Sequence, residues 1–246
     1  MNKECGVLFL HHQPLDNPLV TKHLAAIADL GLTAIPLSFG ERPPPPGQTP
    51  ETYSGYARWR WGHMDHLVYE WWFSEARIDF DRYMVVEYDT WFTLHPKLFY
   101  GASYDRDAVA ACVMDARQPQ ATMPAGNTFD YWFKNTPGHQ EFRDHGLAHC
   151  LRGMMPIVCL FSRRCLSGIA EAFKSNPWCQ APGSPELRFG SLAAVAGFEP
   201  ESFNGPKGPG IHYQYANPVT PDKPGIWHPV KDAESLREWQ KGHGAP

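Results

Sequence analysis

The first forty residues alternate between two apolar patterns. Cys5–Leu10 is a short unbroken apolar run, as in a buried strand. Asn17-Pro18 supplies an N-cap and a first-turn proline, and Val20, Leu24, Ile27 and Ala28 follow at helical spacing until Gly31 stops the helix. Leu32–Leu37 reads as a second strand, and a strand–helix–strand opening favours an α/β fold with a parallel sheet. Further along, Met64, Leu67, Val68, Trp71 and Trp72 predict an amphipathic helix of about ten residues. Tyr83–Tyr88 is the strongest internal strand, and Leu98–Tyr104 and Ala108–Met114 are weaker strand candidates. Pro156–Phe161 reads as a strand feeding a helix with Leu166, Ile169, Ala170 and Phe173 on one face. Ser184-Pro185 opens another helix, closed by Gly197, and Asp232–Gln240 is a short terminal one. Residues 40–54 are a proline-rich loop that could serve as a linker or as a flap beside a site. The stretches 115–153 and 198–229 show no clear period.

Composition narrows the class. The chain has 246 residues, 43% apolar and 20% charged, which fits a folded globular protein and argues against wholesale disorder. The formal charge of −4 offers no basic field for a nucleic-acid backbone. Six cysteines lack any CxxC spacing, so zinc-ribbon and thioredoxin-type readings fail. No apolar stretch approaches the length of a membrane span, and the run at Cys5–Leu10 is too short for a signal segment. A cytoplasmic, reducing setting with free thiols is the expectation. Aromatic residues make up 13%, enough to line a site for flat-faced ligands or simply to fill a core.

Candidate chemistry concentrates in Asp79–Phe92. Here a hydrophobic strand delivers Glu87 and Asp89 at its carboxyl end, where ligands bind in open α/β sheets. Residues two apart on a strand share a face, and two such carboxylates suit a hard divalent cation that bridges to phosphate oxygens. A strand ending in a solvated acidic turn fits the spacing as well.

This Glu87-Tyr88-Asp89 segment resembles the D-x-D motif of GT-A glycosyltransferases, which transfer a sugar from a nucleotide-diphosphate donor. The resemblance implies an α/β fold, a single GT-A-like domain over residues 1–246 with a central, mostly parallel mixed sheet flanked by helices. The donor-binding part would span about 1–115, the acceptor and catalytic part about 116–231, and the terminal helix 232–246. Asp89 would bind Mn²⁺ or Mg²⁺, while Glu at the first position departs from the family spelling. Three further segments resemble the family in order. Trp59–Asp65 is similar to the stretch over the donor nucleotide, which implicates Arg60, Gly62 and Asp65. Ser184–Leu192 is similar to the catalytic helix of inverting enzymes, with Glu186 as general base, although it is one residue shorter than the family spelling. Gly225–Lys231 is similar to the terminal segment that supplies a metal-binding histidine, His228, with Lys231 near the leaving group. The same likeness puts His11, His12 and Gln13, after the first strand, beside the donor together with Glu87 and Tyr88.

An aromatic run at Asp130–Phe133 would offer Trp132 to the acceptor sugar, or belong to the core. Arg163-Arg164, at a helix start that disfavours cations, implies a specific partner, phosphate among them, or solvation. If Glu186 is not the base, Asp105 and Glu141 are the next acids. The implied function is inverting, metal-dependent transfer of a sugar from a nucleotide-sugar donor to a saccharide or glycan acceptor, with bacterial surface polysaccharide as the product class by analogy. A nucleotidyltransferase is the catalytic alternative, although no glycine-rich basic phosphate loop lies near residues 11–22. A non-catalytic carbohydrate-binding protein is the alternative without chemistry.

Overall fold

The computed structural model describes residues 4–38, 64–111, 113–115, 137–154, 158–180, 185–202, 211–213, 226–228 and 230. Strand β1 (Cys5–His11) is buried along its whole length, as its apolar run requires. Asn17 caps helix α1 (Pro18–Asp29), its side-chain oxygen accepting from the Leu19 amide at 2.9 Å. Gly31 takes the left-handed φ of 73° that ends the helix and turns the chain into β2 (Thr33–Ser38). Helix α2 (Met64–Trp72) turns Leu67, Val68, Trp71 and Trp72 into the core. β3 (Arg82–Glu87) follows.

The main sheet has the order β2-β1-β3-β8-β5-β9, with β5 Ala108–Ala110, β8 Val158–Ser162 and β9 Glu201–Ser202. β1 is parallel to both β2 and β3, β8 is antiparallel to both β3 and β5, and β5 is parallel to β9. The sheet is therefore mixed, parallel where the strand–helix–strand opening builds it and reversed at β8. A second sheet, β10-β11-β4, joins Ile211–Tyr213, Ile226–His228 and Trp91–Phe92. A third pairs β6 (Val113–Asp115) with β7 (Arg152–Met154).

Three expectations change. Leu98–Tyr104 is not a strand: His95 caps helix α3 (Pro96–Tyr100), its Nδ1 accepting from the Lys97 amide at 3.2 Å. Phe99 and Tyr100 are buried while Leu98 is 69% exposed, a burial pattern the short helix and its cap impose. Ala108–Met114 breaks into β5 and β6, which belong to different sheets. The strand read as Tyr83–Tyr88 ends at Glu87, so Asp89 lies in a turn, closed by the Thr90 amide donating to the Glu87 carbonyl at 2.9 Å. The alternation rule therefore does not reach Asp89.

Helix α1 is buried on two faces. Val20 and Ile27 join the main core, while Leu19 and Ala26 pack with Trp91, Trp227 and Val230 beneath the second sheet. Ala28, read as part of the apolar face, is exposed. Helix α4 is Pro137–Asp144 and α5 is Arg163–Ser175. Helix α6 (Pro185–Val195) is buried from Pro185 through Ala193, as expected of a central helix without a solvent face. A Cβ on Gly190 would stand 2.5 Å from the Arg152 carbonyl oxygen, so only glycine admits the approach of α6 to β7. Ser191 completes that contact: its Oγ accepts from the Arg152 amide at 3.0 Å, and the hydroxyl lies 3.2 Å from the Arg152 carbonyl. The terminal helix expected over 232–246 lies outside the described residues.

Candidate functional site

The carboxyl ends of β1 and β3 lie side by side, with Leu10 opposite Glu87 in register. Strand geometry therefore delivers His11 and the Glu87–Asp89 turn to one place. His11 is buried, its Nδ1–H donates to the Gln13 carbonyl at 2.7 Å, and its Nε2 is buried with no hydrogen-bond partner among the described residues. His12 is exposed and meets Tyr88 edge-on at 4.5 Å between ring centroids. Gln13, Glu87 and Tyr88 are half-buried, and Asp89 is only 2% exposed.

The tail reaches the same turn. The Val230 amide donates to the Asp89 carbonyl at 2.8 Å, and β11 runs antiparallel to β4 with Trp227 opposite Trp91. The backbone at His228 therefore runs beside the chain immediately following Asp89, although the two positions are far apart in sequence.

A further residue escaped the sequence reading. His23, on α1, is 2% exposed and packs on Trp91 at 5.0 Å and on Phe9 at 6.3 Å. Burial pushes its imidazole down to about 4, and the charge of Asp89 and a loose approach to the Tyr88 backbone only partly offset this. His23 is therefore neutral near pH 7. The signal was present in Leu19, His23 and Ala26, which mark a second stripe at i, i+4, i+7.

Glu186 stands in the first turn of α6, as expected, and is buried. Cys159, the second residue of β8, lies at the same end of the sheet as Glu87, and its thiol is raised well above the ordinary range by burial and then by the charges of Glu87 and Glu186. Arg188, two residues on, was not anticipated. Its guanidinium grips Asp65 through two hydrogen bonds of 2.7 and 2.6 Å, and both residues are buried. Burial works against the Asp65 carboxylate, but the Arg188 charge and its hydrogen bonds prevail and hold it below the ordinary aspartate range. Asp65, expected to border the donor, instead has its carboxylate engaged inside the fold. Glu141, on α4, is half-buried; burial raises its carboxyl, with Arg188 and His145 opposing.

Other expectations resolve at the opposite end. Arg163 donates to the Phe80 carbonyl at 2.7 Å, and Arg164 makes a two-pronged bond to Asp107. The two arginines thus have the specific protein partners that a cation at a helix start requires. Asp105 has a side chain 92% exposed and pairs with Arg82 at 3.6 Å. It borders a cleft of ≈ 520 Å³ at the amino ends of the strands, whose cations Arg82 and Lys97 already face Asp105 and Glu4.

For a divalent cation, Asp89 supplies a hard oxygen donor at a strand end, and hard ions commonly complete their shells with water and substrate phosphates. Among the described residues no group of three or more His, Cys, Asp and Glu side chains gathers to hold a metal. A cation here would thus rest on Asp89 and on ligands from the tail and substrate. Arg60, Gly62, Trp132 and Lys231 lie outside the described residues, as does the side chain of His228. Five cysteines, at 5, 150, 159, 165 and 179, are buried free thiols, and no described helix is long and apolar enough to cross a membrane. No protein-family model matches the chain, and no curated protein matches it either.

Proposed function

We propose that the protein is a GT-A-like glycosyltransferase that moves a sugar from a nucleotide-diphosphate donor to a hydroxyl of a saccharide or glycan acceptor, with inversion. The observation that carries this reading is the pairing of β11 with β4 together with the Val230 amide on the Asp89 carbonyl, which joins two segments of the family resemblance. The mixed sheet, with its parallel half ending in His11 and Glu87, is compatible with that architecture. So is the place of Glu186, buried in the first turn of α6.

In this reading Asp89, with His228 from the tail, would hold Mn²⁺ or Mg²⁺. The cation would supply Lewis-acid stabilisation of the departing diphosphate. His11, His12, Gln13, Glu87 and Tyr88 border the donor. Glu186 takes the proton from the acceptor hydroxyl as that oxygen attacks the anomeric carbon. The positive end of α6 favours the ionised form that a base requires. The order of roles follows from burial: the acid that must exchange a proton stands on a fixed helix, while the donor meets the strand ends and the tail.

A panel of nucleoside diphosphates tested by thermal shift, with and without Mn²⁺ or Mg²⁺, tests the reading. At 100-fold its dissociation constant a ligand stabilises by about 2.7 kcal/mol. The expected result is a shift that requires both nucleotide and metal. No shift with any nucleotide overturns the donor site. Binding of saccharide alone, independent of metal, would favour a carbohydrate-binding protein, and nucleotidyl transfer to an acceptor would favour the nucleotidyltransferase alternative.

A further inference from the structure

Two cations share one aromatic ring in the cleft of ≈ 520 Å³ at the amino ends of β1 and β3. The Arg82 guanidinium lies 5.0 Å from the centre of the Tyr104 ring and the Lys97 ammonium 5.8 Å from it, and all three residues line the cleft. Arg82 is the first residue of β3, paired with Cys5 of β1 and Ser162 of β8, so the sheet fixes its backbone on both sides. Its Nη1 donates to the Arg106 carbonyl at 2.7 Å. That bond and the ring anchor the guanidinium, and the side chain is only 14% exposed. The carboxylate facing it is held far less well. Asp105 stands 3.6 Å from Nη2, beyond hydrogen-bonding distance, and its side chain is 92% exposed. Among the described residues the fork therefore makes one hydrogen bond, to a backbone carbonyl, and its Nη2 meets a carboxylate that can swing away at little cost, because exposed pairs contribute little. Lys97 is paired with Glu4, and Asp81, itself exposed, has Arg163 3.5 Å away.

We propose that this cleft binds a small zwitterion of the α-amino-acid class, whose carboxylate takes the place of Asp105 on Arg82. A planar guanidinium anchored on one side presents N–H donors in the fixed geometry that matches a carboxylate. Lys97 adds a second cation over the same ring. The lining carries two cations, Arg82 and Lys97, against three carboxylates, Glu4, Asp81 and Asp105, so its formal charge is −1. A dianion such as a nucleoside diphosphate is therefore disfavoured here. A zwitterion brings no net charge, and its ammonium meets Asp81 while its carboxylate meets Arg82. The volume is that of a small-molecule site and leaves room for the ligand's side chain. The cleft lies at the end of β1 and β3 opposite to the Asp89 turn, so this inference does not rest on the proposed sugar transfer.

The test is saturation-transfer NMR on the full chain with the standard L-amino acids as probes, and with acetate and methylamine as the two half-ligands. The expected result is saturable binding of at least one amino acid, tighter than that of either half-ligand. Arg82→Met should weaken it by roughly 10–100-fold, the range for loss of a hydrogen bond to a charged group. Lys97→Met, at a position open to solvent, should weaken it by a smaller factor and serves alone if Arg82→Met does not fold. No binding by any amino acid, or unchanged binding in the folded variants, overturns the proposal. Acetate binding as tightly as the amino acid would mark an adventitious ion only and overturns it as well.

Discussion

At the amino ends of β1 and β3, Arg82 faces Asp105, Lys97 faces Glu4, Arg163 faces Asp81 and Arg164 grips Asp107. At the carboxyl ends of the same two strands stand His11 and Asp89, both buried, with half-buried Glu87, and His23 beneath them. Both ends carry charge, but they use it differently. The amino end is a partly exposed rim of opposite signs, where each arginine has a carboxylate close by. Such pairs are screened and contribute little. The carboxyl end gathers acids and imidazoles with little solvent, an arrangement that costs desolvation and that clusters at functional sites. The cleft of ≈ 520 Å³ belongs to the paired rim.

The sharpest way to break this comparison is to remove one acid from each end. Glu186→Gln keeps size and hydrogen bonding but cannot accept a proton. Turnover at saturating acceptor should fall by about 10²–10⁴-fold, the usual contribution of a general base, while nucleotide affinity measured by calorimetry stays as in the native protein. Asp105→Asn, at the exposed rim, should change neither. Equal effects from the two variants would erase the distinction between the ends.

Acid stability sharpens the same comparison. His23 has an unfolded value of 6.5 and a folded value of about 4. Between these values the unfolded chain binds the extra proton, so stability falls as pH drops from 6.5 toward 4 and the penalty is constant below that. The full penalty is roughly 3 kcal/mol. His23→Phe should flatten this part of the stability–pH curve measured by urea unfolding in metal-free buffer. The curve should keep its native slope in Asp105→Asn. A native slope in His23→Phe would show that the ring is not held neutral.

A smaller effect concerns the tail. Trp227→Ala should loosen the contact of β11 with Trp91 and α1, which is built on Leu19, Ala26 and Val230. Metal-dependent nucleotide binding should weaken by more than the melting temperature suggests, because the tail carries His228. Unchanged binding in a folded Trp227→Ala variant would detach the tail from the site.

Legibility in the sequence followed the range of the forces. The β1–α1–β2 opening was readable because Asn17-Pro18 and Gly31 act within a few residues of the elements they bound. Glu186 was placeable at a helix start for the same local reason. Helix α3 is not legible in the apolar run Leu98–Tyr104, because the signal that sets it lies before that run in His95-Pro96, a cap and first-turn proline like Asn17-Pro18. His23 was missed because the second buried face of α1 exists only once β4 and β11 cover it. The Asp65–Arg188 pair could not be read locally, because two charges separated by most of the chain show no spacing until the fold brings them together. Asp65 was consequently read as a ligand contact when it is engaged inside the protein.

The central claim is that the turn after β3 is the site of nucleotide and metal. Its most direct test is Mn²⁺ binding followed by electron paramagnetic resonance, with and without nucleoside diphosphate, in the native protein, Asp89→Asn and Asp105→Asn. Native protein and Asp105→Asn should show bound Mn²⁺ whose signal changes when the diphosphate is added, and Asp89→Asn should lose that signal while remaining folded. Native-like Mn²⁺ and nucleotide signals in Asp89→Asn, or their loss in Asp105→Asn instead, would contradict the account.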